Sequence, residues 1–211
     1  MNLTEMRARV RRDLHDEDVQ NYRWSDDELS RHIDHAVREL SLSIPLEAKA
    51  TLATSEGSRG LSLSSLGDLV NVEAVEYPVG RYPPSYVRFS LWGDTLTLLV
   101  GKTPSAGEEV NIYYGNLHTL DEATSTIPSP LEDLVAIGGE GYAAIEWASY
   151  ATNRVNVGGG LTWEYYLTWG QERLSSFMKA LSKHSRKNRL RLRQLYRPYE
   201  PPKSQTTDYG P

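Results

Sequence analysis

The sequence predicts an α+β protein: an antiparallel helical bundle, a small antiparallel β module inserted into it, a long C-terminal helix and an extended C-terminal tail. Three observations carry this. Apolar residues recur at spacings of three and four near both ends of the chain, the helical period. Residues 48–115 change to alternation broken by prolines and glycines. The charge is also uneven: net −5 over 211 residues, yet residues 171–197 hold nine Lys/Arg against Glu172, which is +8 and leaves −13 for the rest.

The first predicted helix covers residues 3–14, with Leu3, Met6, Val10 and Leu14 on one face and Arg7, Arg9, Arg11 and Arg12 opposite. A polar linker, residues 15–23, follows. Ser25 and Glu28 form a capping box for the second helix, and Trp24 and Leu29 have the spacing of a hydrophobic staple. Asp26 and Asp27 favour the same start through the helix dipole, and Pro45 ends the helix. Candidate strands are 48–53, 60–64, 70–77, 86–92, 95–100 and 109–114, all paired locally, with a hairpin turn at Trp92-Gly93-Asp94-Thr95. Ser129-Pro130-Leu131-Glu132 reads as a second capping box for a helix reaching about Tyr150. A glycine-rich loop, 153–160, precedes a helix capped by Thr162 and running to about Tyr196, about 50 Å long. Its stretch from Lys183 to Arg193 has only Leu190 and Leu192 as apolar residues, so it extends past the core. Residues 198–211 contain four prolines and are expected to be extended. The division is therefore 1–44, N-terminal helices; 45–118, β module; 119–197, C-terminal helices; and 198–211, tail.

Composition and motifs narrow the function. The absence of cysteine excludes disulfides, thiolate catalysis and cysteine metal sites. Mean hydropathy is −0.52 and no apolar run approaches a bilayer span, so neither a membrane segment nor a cleaved signal is expected. Gly101-Lys102-Thr103 lacks the earlier glycine of a phosphate loop, because Leu96 stands there. Gly139-Glu140-Gly141-Tyr142-Ala143-Ala144 has the form of a dinucleotide fingerprint but falls inside a helix; Gly138, Gly139, Gly141, Ala143 and Ala144 instead suit close helix approach. His32 and His35, with Glu28 and Glu39, read as a solvated helix face rather than a metal site. His118 and Asp121 lie in a loop without specific neighbours. No catalytic grouping stands out, so no enzyme, metal or cofactor is expected.

Two features point to binding. Trp147, Trp163, Trp169, Tyr142, Tyr150, Tyr165 and Tyr166 crowd the last two helices, more aromatics than one small bundle needs. Tyr77, Tyr82, Tyr86 and Trp92 of the β module have the character to stack on a sugar or base. The basic helix lacks interleaved acids, which favours phosphate or an acidic protein surface as its partner.

The run Leu3, Met6, Val10-Arg11-Arg12-Asp13-Leu14, then Trp24-Ser25-Asp26-Asp27-Glu28-Leu29, Ile33, Ala36 and Glu39 resembles the opening of tailed-phage head-to-tail connector (adaptor) proteins. The order of helices, insert, helices and C-terminal extension also agrees. The resemblance implies a structural virion protein of the phage neck, made in the host cytoplasm. Such proteins form a homo-oligomeric ring of about 12 copies under the portal. They extend the DNA channel and dock a tail or tail-completion protein. The matching contact positions, to portal or genomic DNA, are Lys183, Arg186, Lys187, Arg189, Arg191, Arg193, Tyr196, Arg197, Tyr199 and Tyr209. A nucleic-acid-binding module using the basic helix is the alternative.

Overall fold

The computed structural model describes residues 1–151 and 162–195. Helix α1 spans Leu3–Asp13 and α2 spans Asp26–Ser43. Each starts on a capping box. The Ser25 hydroxyl accepts from the Glu28 N–H at 3.2 Å, while the Glu28 carboxylate accepts from the Ser25 N–H at 2.7 Å. Asn2 and Glu5 do the same for α1, a pattern the sequence also carries. Trp24 and Leu29, the staple pair, are both buried in the helical core.

Six strands follow: β1 (Leu46–Ala53), β2 (Gly60–Ser62), β3 (Leu69–Glu76), β4 (Phe89–Trp92), β5 (Thr95–Leu98) and β6 (Glu109–Asn116). They form two antiparallel three-stranded sheets, β1-β6-β3 and β2-β5-β4. The sequence reading expected all pairing to be local, and it is not. Ala50 lies opposite Ile112, so the first and last strands close the module. The stretch expected as one strand over 86–92 is divided between the sheets. The Val87 N–H donates to Val75 in the first sheet, whereas Phe89 pairs with Leu98 in the second. Leu61, Leu63, Val75, Leu96, Leu98, Val110 and Ile112 form the β core.

Helix α3 (Ser129–Ala151) and α4 (Thr162–Leu195) complete the bundle. The second expected capping box is absent, because α3 begins at Ser129 itself and Leu131 N–H donates to Pro128. Glu132 instead binds the amino terminus of Met1. The expected loop over 153–160 lies outside the described residues. Helices α3 and α4 meet through small residues. A Cβ on Gly141 would stand 2.8 Å from Leu174, and one on Gly170 3.1 Å from the Ala144 methyl. Glycine at these positions sets the interhelical distance, as the small residues of the fingerprint-like segment imply. Among the described residues, no helix is long and apolar enough to cross a membrane.

Candidate interaction surfaces

The basic end of α4 follows from the position of the core. Phe177 and Leu181 are the last core residues among those whose burial is described. Fourteen helical residues, Ser182 to Leu195, come after them, which is about 21 Å of helix. Lys183 is exposed; Arg186, Lys187, Arg189, Arg191 and Arg193 lie on the same helix. Tyr196, Arg197, Tyr199 and Tyr209 lie outside the described residues.

Several charged groups behave differently from their sequence reading. Arg11, expected on the solvent face of α1, is buried. Its guanidinium donates to Asp16 at 2.6 Å, to Asp26 at 2.7 Å and to the Trp24 carbonyl at 2.9 Å, and it lies 3.7 Å from the Tyr22 ring centre. Asp16 and Tyr22 belong to the polar linker and Trp24 and Asp26 to the start of α2, so Arg11 fixes the linker between two helices. His32 is also buried rather than solvated, and it contacts Glu146. Desolvation lowers its pKa against the pull of that carboxylate. Burial pushes Glu146 up, but hydrogen bonds from Arg31 and His32 outweigh it and hold the carboxyl below its usual range. His35 stacks on Tyr142 at 4.1 Å. No metal-holding group of His, Asp and Glu occurs among the described residues.

His118 is likewise specifically held. Its backbone N–H donates to Ser41 Oγ at 2.9 Å, and its ring nitrogens meet the carbonyls of Thr126 and Ile44, each at 3.0 Å. It thereby joins the end of α2 to the segment leading into α3. Asp121 accepts from the N–H groups of Ala123 and Thr124, closing a local turn.

Glu140, the acid of the fingerprint-like segment, is 1% exposed. Burial, then hydrogen bonding with the Asp13 carboxyl, raises its pKa to about 7 against the opposing pull of Arg173, 3.2 Å away.

The aromatics divide into packed and displayed sets. Trp24, itself buried, joins the partly buried Trp147 at 5.6 Å and Tyr166 at 6.2 Å between centroids, a cluster that sequence spacing did not assemble because Trp24 lies far away in the chain. Tyr165 is 74% exposed on α4. In the β module Tyr77 donates to Glu108 and Tyr86 packs edge-on against Tyr113, whereas Tyr82 and Trp92 stand in solvent.

The described fold thus combines a helix end rich in lysine and arginine, displayed aromatics and interior ion pairs. The chain belongs to the SU10 adaptor protein family, whose model matches residues 1–153. The head-to-tail adaptor resemblance of the N-terminal helices is thereby borne out. Among solved structures, a chain described as "Neck of empty GTA particle computed with C6 symmetry" matches at 13% identity and a TM-score of 0.30, over 80% of this chain and 88% of that one. No curated protein matches.

Proposed function

We propose that this adaptor forms a ring of about 12 copies under the portal in the virion neck, extends the DNA channel and docks the tail or a tail-completion protein. The observation that supports this most is family membership over residues 1–153, joined to a cationic helix end beyond the last described core residue. A closed ring needs two different surfaces that meet head to tail, and the +8 of residues 171–197 against −13 elsewhere supplies opposite charges for them. Residues 1–44 and 119–197 build the ring body, 45–118 form the inserted module and 198–211 reach the portal. Lys183, Arg186, Lys187, Arg189, Arg191, Arg193 and Arg197, with Tyr196, Tyr199 and Tyr209, contact the portal or line the lumen. The protein acts by binding and makes no covalent bond.

Electron microscopy of the protein mixed with its portal tests this, with a portal-free control and a variant lacking residues 198–211. Rings on portals from the full chain alone are expected. A shortened chain that still attaches rules out the tail as the attachment arm, and a monomer in the presence of portal rules out the ring. The acid-free run of basic residues after Glu172 also favours a nucleic-acid-binding reading. That reading requires duplex binding by the isolated protein that falls steeply with salt.

A further inference from the structure

One cleft has no part in that proposal. It lies where the end of α1 faces the start of α4, and has a volume of about 460 Å³. Tyr165, Tyr166 and Trp169 give it an aromatic lining, and Asp13 and Arg173 add one charge of each sign. Two of its aromatics, Tyr166 and Trp169, make fixed contacts. Tyr166 packs edge-on to Trp24 and accepts a hydrogen bond from Arg23. The Arg173 guanidinium lies 4.9 Å from the Trp169 ring centre while its Nε faces Glu140. An aromatic-lined groove with charged neighbours is the surface that takes a polyproline-II segment, since flat rings fit between the ridges of such a helix.

We infer that this cleft binds residues 198–203 of a second copy of the chain. That segment reads Pro198-Tyr199-Glu200-Pro201-Pro202-Lys203, a Pro-x-x-Pro sequence followed by a cation. Its prolines preset the extended backbone, so little entropy is lost on docking. Glu200 and Lys203 carry the charges complementary to Arg173 and Asp13.

Chain length decides that the partner is another copy. Trp169 and Leu195 are 26 residues apart on one helix, about 39 Å. From Leu195, Pro202 is seven residues on and spans at most about 25 Å. The segment therefore falls short of the cleft on its own chain and reaches a neighbour's. The face of the segment bearing Tyr199 and the residues after Lys203 stay free for the portal. The inference deepens the ring proposal and rests on it for the neighbour in the particle.

The test uses a fluorescently labelled peptide of residues 196–204. It is titrated into the full chain carrying Pro198→Ala, Pro201→Ala and Pro202→Ala, so that the protein's own tails do not compete. Saturable binding is expected, weakened at least about tenfold by Tyr165→Ala, an exposed position whose loss leaves folding intact, and likewise by Trp169→Ala. A peptide with alanine at all three prolines should not bind. No saturable binding, or binding indifferent to Tyr165 and Trp169, overturns the inference. Ring formation is read separately by microscopy. Rings without peptide binding leave the ring proposal standing and remove this one, and peptide binding by a chain that never forms rings does the reverse.

Discussion

Arg11 Nη1 lies 2.6 Å from Asp16 Oδ2, and both side chains are buried. This pair closes the chain between α1 and α2 into a fixed corner, because the same guanidinium also holds Trp24 and Asp26. A planar fork of donors serves three acceptors at once, which an ammonium on a flexible stem does not.

Replacing Arg11 should therefore cost more than replacing any other arginine of α1. Arg11→Ala leaves the Asp16 carboxylate buried without its cation and is expected to destabilise the fold by about 3–5 kcal/mol. Arg11→Lys should recover only part of this. Urea denaturation measures both, and a loss below about 1 kcal/mol for alanine would show that the corner does not depend on the pair.

Glu140 gives the fold a distinct pH dependence. Its folded pKa of about 7 lies above the ordinary 4.5, so the folded state retains a proton that the unfolded chain releases between those values. Stability from this group is full below about pH 4.5 and is lost as pH rises to 7, with a slope of at most about 1.4 kcal/mol per unit. His32 acts oppositely, since a depressed folded pKa makes stability fall as pH drops below 6.5. The difference between the protein and its Glu140→Gln variant isolates the first effect. Thermal melts at pH 5 and pH 8 should show the variant gaining on the parent at the higher pH; equal differences at both would refute it.

Gly138 holds α3 against two partners. A Cβ there would lie 2.8 Å from the Ala36 methyl and 3.1 Å from two Phe177 ring carbons. Gly138→Ala should destabilise by about 1–3 kcal/mol through overpacking, despite alanine's better helix propensity. Adding Ala36→Gly should restore part of the loss. Gly67→Ala, where nothing lies within 4 Å, is the control. Denaturation of the four proteins decides, and no loss in Gly138→Ala would mean the helices separate freely.

Charge reversal at the end of α4 should separate stability from assembly. The triple change Arg186→Glu, Arg189→Glu and Arg193→Glu lies beyond Leu181, the last described core residue, and is expected to leave the melting temperature within about 2 °C. The same variant should fail to attach to portals in the microscopy assay. Normal attachment would remove the basic helix from the proposed contacts.

Local chemistry was legible without the structure. The Ser25/Glu28 box, the Trp24/Leu29 staple and the stop at Pro45 need only residues a few positions apart, so sequence spacing determines them. The concentration of cations after Glu172 is equally a property of the chain, and the glycines of α3 could be read as packing residues because helical spacing already placed them within a helix. The second box did not form, since α3 begins at Ser129 itself, and its glutamate binds the distant amino terminus of Met1.

What tertiary structure alone decided involves partners far apart in the chain. The pairing of β1 with β6 brings together residues some 60 positions apart, and alternation within a strand says which face is apolar but not which strand lies beside it. Arg11, His32, His118 and Glu140 read as ordinary polar residues, since burial is set by what packs over a side chain, not by its own neighbours. The aromatic cleft arose in the same way, from the end of α1 meeting the start of α4 some 150 residues later. Sequence thus determined the helices and the charge they carry; the fold decided which charges are buried and which aromatics stand exposed, because desolvation and contact are properties of the assembled surface.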